Sequence, residues 1–212
     1  APAEPAAGAD GYYAALNRAF CVEQLELQLA PGAAARCELL FVTTVPGELA
    51  ASHPAVRVRL GHGANLSLLE RHVSTAQASG LSNFRLDLRL EPNARLAHYR
   101  LQALAASTHH VESLNATLDT AAAWTLHSLA LGAQSARTTS EVVLAGADAR
   151  VDWNSAALAE GEQVCDAQVT IEYRGERTAA DQTFRGIAAG RSRVAFSGRM
   201  VVRPQARGAD SR

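Results

Sequence analysis

LELQLAPGA at residues 25–33, VRVRLGHGA at 56–64 and LDLRLEPNA at 86–94 are one nine-residue phrase written three times. Its turn-like ends, Pro31-Gly32-Ala33, His62-Gly63-Ala64 and Pro92-Asn93-Ala94, recur after 31 and then 30 residues. A fixed period of this length marks a repeat architecture. Before each turn the apolar residues alternate strictly: Leu25, Leu27, Leu29, then Val56, Val58, Leu60, then Leu86, Leu88, Leu90. Alternation with period two is the pattern of a strand with one buried face. Gly32, Gly63 and Asn93 tolerate positive φ, and the alanine after each fits a crowded corner. A second alternating stretch follows the turns, clearest at Leu66, Leu68 and again at Leu96, His98. Strand, corner and strand with no amphipathic helix between them predict an all-β fold, the β-solenoid. An antiparallel sandwich needs turn signals every 8–12 residues or so, and the thirty-residue recurrence does not supply them.

Stacked coils bring equivalent residues about 4.8 Å apart. Leu25/Val56/Leu86, Leu27/Val58/Leu88 and Leu29/Leu60/Leu90 then form three internal ladders, and outside them Glu26, Arg57 and Asp87 alternate in sign. Opposite charges on neighbouring strands help by a few tenths of a kcal/mol, about 0.2 at least; the parallel column Gln28, Arg59, Arg89 sets two cations together. Beyond residue 103 the period blurs, while β-rich runs continue at 126–131, 141–144, 169–173, 194–196 and 199–202. At the front, Tyr13, Leu16 and Phe20 in YYAALNRAF (12–20) lie at helical spacing, predicting a short N-terminal capping helix over an exposed end layer. The domain reading is a disordered start at 1–11, a core domain at 12–204 and a frayed tail at 205–212.

Composition limits the functions open to such a fold. The 212 residues carry 20 basic and 21 acidic side chains, a formal charge of −1, so no long-range field gathers nucleic acid or an anionic membrane. No apolar run approaches the roughly 18 residues of a spanning helix, and the opening APAEPAAGAD has no signal-peptide pattern. Every formal cation is an arginine, which removes lysine-nucleophile chemistry. Cys21, Cys37 and Cys165 form neither a disulfide framework nor a metal knuckle, and fit a reducing compartment. The only methionine is Met200, so we expect the sequence to be a piece of a longer protein.

Candidate chemistry is sparse. His53, His62, His72, His98, His109, His110 and His127 show no HxH or HExxH spacing, and adjacent residues such as His109 and His110 point to opposite faces of a strand. Solvated or stacked histidines are the expectation, and Cys165 with His127 is the one pair that stacked coils could bring together. Ser128, Ser140 and Ser155 lack a nucleophile elbow, and Asp148, Asp152 and Asp166 are scattered among turns. No P-loop is present. Five per cent aromatic residues is thin for a sugar cleft.

The last third of the chain carries a resemblance. DQTFRGI (181–187), GRSRVAFSG (190–198), Met200-Val201-Val202 and Pro204-Gln205-Ala206 resemble the core of the SufB/SufD family of iron–sulfur cluster assembly proteins, its SufD branch most. PNARLAHYRLQ (92–102), YYAALNRAF and Leu129 to Gly132 extend the likeness over nearly the whole chain. SufB-like chains usually have tyrosine where Phe184 stands. The family-motif residues Phe184, Arg185, Gly186, Gly190, Phe196 and Gly198 are read as partner-interface positions: Phe184 and Phe196 as core anchors, the glycines as corners, and Arg185 as facing a partner or a carboxylate.

The resemblance implies a right-handed parallel β-helix and a scaffold subunit of the SUF machinery, cytoplasmic and not an enzyme. Its implied partners are SufB and the ATPase SufC, through a hetero- or homodimer made by β-helix edges, with no nucleic acid and no membrane. The cluster is handled by the full complex. This segment is expected to hold no cofactor or metal and no catalytic residue, because the family's junction ligands lie in a C-S-H-G phrase expected downstream of Arg212; Cys37 and Cys165 read as bystanders. The alternatives are a solenoid enzyme acting on polysaccharide and a generic β-domain interaction module.

Overall fold

The structure is a computed structural model, and it describes residues 11–44 and 50–211. After the helix α1 (Tyr12–Phe20) the chain runs β1 (Gln24–Leu29), β2 (Ala34–Thr43), β3 (Ala51–Ser52), β4 (Ala55–Leu60), β5 (Asn65–Ser74), β6 (Gly80–Leu90), β7 (Arg95–Leu104) and β8 (Thr108–Leu118). It continues β9 (Ala123–Gly132), β10 (Ser135–Leu144), β11 (Arg150–Ala159), β12 (Val164–Tyr173), β13 (Ala179–Ala188), β14 (Arg193–Val202) and β15 (Asp210–Ser211). Alternate strands stack into two parallel sheets, β1-β4-β6-β8-β10-β12-β14 with β3 beside β6, and β2-β5-β7-β9-β11-β13-β15. The chain is a parallel β-solenoid.

The three internal ladders form in the register the repeat predicts. The first continues as Leu25, Val56, Leu86, Leu114, Ser140, Val169 and Gly198, with steps of 31, 30, 28, 26, 29 and 29 residues. The repeat persists to the end; its corners shorten, so a fixed thirty-residue comb loses it after residue 103. In the outer column with two cations, each finds an acid: Arg59 lies 3.6 Å from Glu26 and Arg89 lies 3.6 Å from Asp119.

The corner after each first-sheet strand explains the PGA, HGA and PNA phrases. Gly32, Gly63, Asn93, Ala121, Asp148 and Arg177 all have positive φ, between 53° and 70°. The N–H of each donates to a carbonyl of the next coil, from Gly32 to His62 through Arg177 to Arg207, at 2.8–2.9 Å. A turn usually left to solvent becomes a ladder of its own. Beside it the small residues Ala64, Ala94, Ala122, Ala149 and Thr178 are fully buried, where a larger side chain would separate the coils.

The helix spans the expected residues but is not an end cap. Asn17 reaches from it to the Pro54 and Asn83 carbonyls at 3.0 and 2.7 Å, and the Asn83 side chain donates to the Tyr13 carbonyl at 2.9 Å. Asn83 has the opposite parity to Phe84 and Leu86 of the core, so α1 lies on the outer face of β6. The buried side of α1 is Ala14 and Asn17, while Tyr13 and Phe20, expected inside, are exposed. Leu25 of β1 is 47% exposed, so the first layer stays open. At the other end, where fraying is expected, Ala206 is buried and β15 pairs with Ala179 and Ala180. The start at 1–11 falls on residues outside the described set, apart from Gly11, which precedes the helix.

Candidate functional site

Strand parity carries charge into the interior. In β5 the inward positions are Leu66, Leu68, Glu70 and His72, in β7 they are Leu96, His98, Arg100 and Gln102, and in β8 they include His110 and Glu112. All of the polar members are at least nine-tenths buried, Glu70 and His98 completely. The register stacks Glu70 on Arg100 and His72 on Gln102.

Arg100 holds this cluster together. Its Nε donates to Glu70 Oε1 at 2.7 Å and its Nη2 to Glu112 Oε1 at 2.6 Å. The carboxylates also accept from His72 Nε2 on Glu70 at 2.9 Å, from His110 Nε2 on Glu112 at 2.8 Å and from the Thr138 hydroxyl on Glu112 at 3.0 Å, while Glu70 Oε2 has no hydrogen-bond partner among the described residues. His98 Nε2 stands 3.4 Å from Glu70 Oε2, an ion-pair separation rather than a hydrogen bond. His72 also packs among rings: Phe41 at 4.8 Å, Phe84 at 4.6 Å and His110 at 5.1 Å between centroids.

Electrostatics fix the charge states. Burial alone pushes both carboxyls up, but the Arg100 guanidinium and the histidine hydrogen bonds outweigh it and hold Glu70 and Glu112 well below the usual carboxylate range. Burial likewise opposes the Arg100 charge, and Glu112 and Glu70 together hold it protonated. For His98 and His110 burial wins over their glutamates, so both titrate below the ordinary imidazole range. At neutral pH the triad is two carboxylates on one guanidinium.

Beside it lies a cavity of about 20 Å³, lined by Arg100, Gln102, His110, Glu112 and Cys165 among others. Cys165 occupies the inward column of His110 and Ala136. Burial, then Glu112 and Asp166, raise its thiol to about 11, so at neutral pH it is neither a ready nucleophile nor a ready metal ligand. Cys165 and His127, the one pair that coils could have joined, do not meet: His127 lies on the exposed face of β9 and stacks on Tyr99 at 5.5 Å, as the expectation of solvated or stacked histidines has it. His72, His98 and His110 are each at most 2% exposed and so are not solvated; His72 stacks on Phe41 and His98 on Trp124, as the other half of the expectation has it. Among the described residues no three His, Cys, Asp or Glu side chains are placed to hold a metal ion.

The family-motif residues gather at the other site of interest, the C-terminal end. Phe184 and Phe196 stack at 4.9 Å across the two sheets. Gly190 is a corner, with φ of 74°, but Gly186 and Gly198 are not corners. They face inward in mid-strand, where a Cβ at Gly186 would stand 2.6 Å from Val194 Cγ1 and one at Gly198 would stand 3.1 Å from Gln182 Oε1. Glycine there lets the sheets close together. Arg185 is exposed and forms no ion pair among the described residues, although a nearby carboxylate was one expectation. The inward residues Met200 and Val202 of β14, the last strand of its sheet, are 41% and 58% exposed, and among the described residues β14 pairs on one side only. This end therefore offers both an apolar layer and a free edge.

The family model described as SUF system FeS cluster assembly, SufBD core domain, matches residues 41–212. The iron–sulfur cluster assembly protein SufD of Escherichia coli (strain K12) is 25% identical over 155 residues. That match covers 73% of this chain and 37% of the relative, so the chain corresponds to little more than a third of that protein's length. Among the described residues no helix is long and apolar enough to cross a membrane.

Proposed function

The chain belongs to the SufBD core-domain family of the SUF iron–sulfur cluster assembly system, and from that premise we propose that it is the core of a non-catalytic scaffold subunit. Its partners are a SufB-like subunit and the ATPase SufC, and it works in the cytoplasm. The iron–sulfur cluster is cargo of the whole complex, and the residues of this segment hold no cofactor of their own.

The observation that carries the reading is the position of DQTFRGI and GRSRVAFSG. These phrases build β13 and β14, the layer with exposed Met200 and Val202 and a one-sided edge strand. A partner strand laid along β14 satisfies its free N–H and C=O groups and covers those side chains in one step. The buried Glu70–Arg100–Glu112 triad fits the same reading, since both of its carboxylates are held by Arg100 inside the solenoid and away from its surface.

Co-expression of the full-length parent with the SufB and SufC homologues of its own organism tests this. Recovery of a complex containing the tagged parent and a SufB homologue is expected. A parent that never co-purifies with either protein refutes the assignment.

A further inference from the structure

Along the solenoid, exposed arginines of the outer columns are matched by acids one coil away. Arg59 faces Glu26, Arg71 faces Glu38, Arg89 faces Asp119 and Arg137 faces Asp166, at 3.1–3.7 Å. Each such pair is weak in solvent, but their recurrence makes charge part of the fit between successive coils. The last coil departs from this. Outward on β14, Arg193 and Arg199 stand opposite Val164 and Thr170 of β12, and on β13 Arg185 stands opposite Ala156 of β11. The outward acids of β12, Asp166 and Glu172, already face Arg137 and the pair Arg174 and Arg203. Residues 181–212 hold seven arginines and two aspartates, a formal charge of +5, against −6 for residues 1–180. Both aspartates belong to the other sheet, Asp181 on β13 and Asp210 on β15. The C-terminal end of a nearly neutral chain is therefore strongly basic, and it contains the edge strand β14.

Charge and register select what joins this end. A second copy that meets it with its own C-terminal end sets arginine against arginine, a repulsive arrangement across neighbouring strands. A second copy joined head to tail in continuing register, with Leu25 following Gly198, brings Glu26 beside Arg199. Six residues before Glu26, however, stands Phe20 of α1, so Arg193 meets no acid. Resting on the reading of β14 as the edge that a SufB-like subunit joins, we propose that the mating strand of that partner is acidic. It is apolar where it continues the layer of Phe196, Met200 and Val202. On its outward side it carries two carboxylates six residues apart, a span of about 20 Å, opposite Arg193 and Arg199. The same charge steers a different subunit to this end in preference to a second copy of the chain.

The affinity of the full-length parent for its SufB homologue, measured by biolayer interferometry, tests this. The salt concentrations are about 0.1 and about 1 M, between which the screening length falls from about 10 to about 3 Å. Arg193→Glu with Arg199→Glu is expected to weaken binding about tenfold or more at the lower salt, and much less at the higher. The same charge change in mid-solenoid, Arg95→Glu with Arg150→Glu, is expected to leave the affinity within about twofold, because those sites lie beyond the screening length. All four side chains are exposed, so the variants keep the fold. Equal affinities for the two double variants, or a loss that high salt does not reduce, overturn the acidic partner and leave the scaffold reading standing. A parent that forms oligomers alone, lost on Arg199→Glu, makes a second copy the occupant and overturns the proposal. A parent that binds no SufB homologue overturns both.

Discussion

Replacing Arg100 by methionine removes the one cation shared by two carboxylates that are 0% and 4% exposed. Methionine keeps much of the aliphatic volume, so the change is chiefly electrostatic. Glu70 loses its 2.7 Å partner and Glu112 its 2.6 Å partner. Removing one partner of a buried pair costs about 3–5 kcal/mol. In a chain of this size that lowers the thermal midpoint by roughly 6–20 °C, taking 2–4 °C per kcal/mol. The pH dependence carries the sharper signature. In the unsubstituted protein the folded carboxyls titrate well below their unfolded values, and His98 and His110 titrate below theirs. The unfolded chain then binds more protons, so stability is full near neutrality and falls as pH drops through the histidine and then the carboxylate range. Without Arg100, only the histidines still oppose burial, so the folded values of Glu70 and Glu112 rise relative to the parent. Their stabilising contribution shrinks or reverses, and the difference between variant and parent narrows as pH falls from 7 into the carboxylate range. Thermal unfolding followed by circular dichroism across that interval measures both quantities. A loss below about 1 kcal/mol at pH 7, or parallel pH profiles, refutes the triad as described.

Further outcomes follow from other parts of the solenoid. Replacing all three members, as Glu70→Leu, Arg100→Met and Glu112→Leu together, is expected to recover most of the stability lost in the single variant, because no charge is left unpaired; denaturant titration measures it. Gly146→Ala places a Cβ 2.0 Å from the backbone nitrogen of Thr120, so this variant is expected to lose more than about 1–3 kcal/mol, the range for ordinary overpacking. Ala121→Gly relieves a positive φ of 54° and is expected to raise the thermal midpoint, although glycine returns up to about 1 kcal/mol of that gain as unfolded-state entropy. Cys165, with its thiol raised from 9.0 to about 11, is expected to react with iodoacetamide at neutral pH roughly a hundredfold more slowly than an ordinary thiol, as read by peptide mass spectrometry.

The ladders Leu25/Val56/Leu86 and their neighbours were legible because alternation and a thirty-residue period reinforce each other, and the register reproduces them residue for residue. The corner residues were legible for the same reason, since glycine and asparagine advertise positive φ; Ala121, Asp148 and Arg177 adopt it without that signal, which hid the later coils. The interior charges were missed although the needed information was present. Once Leu66 and Leu68 are assigned inward, parity places Glu70 and His72 inward too, and the next coil repeats this with Leu96, His98, Arg100 and Gln102. The general expectation that charged residues face solvent overrode that parity. Gly186 and Gly198 were mistaken for corners because only the distance between facing sheets, which sequence does not contain, separates a turn glycine from a close-approach glycine. The seat of α1 was hidden for a related reason: its buried contact is polar, through Asn17, and its large apolar residues point outward.

Hydrogen–deuterium exchange of the β14 amides (Arg193–Val202) in the full-length parent, alone and with its SufB homologue, tests the scaffold account most directly. The account predicts that β14, paired on one side only, exchanges readily in the free chain and gains strong protection in the complex, together with the Met200 and Val202 region. A stable complex in which β14 exchange is unchanged, with protection appearing elsewhere on the solenoid, contradicts it.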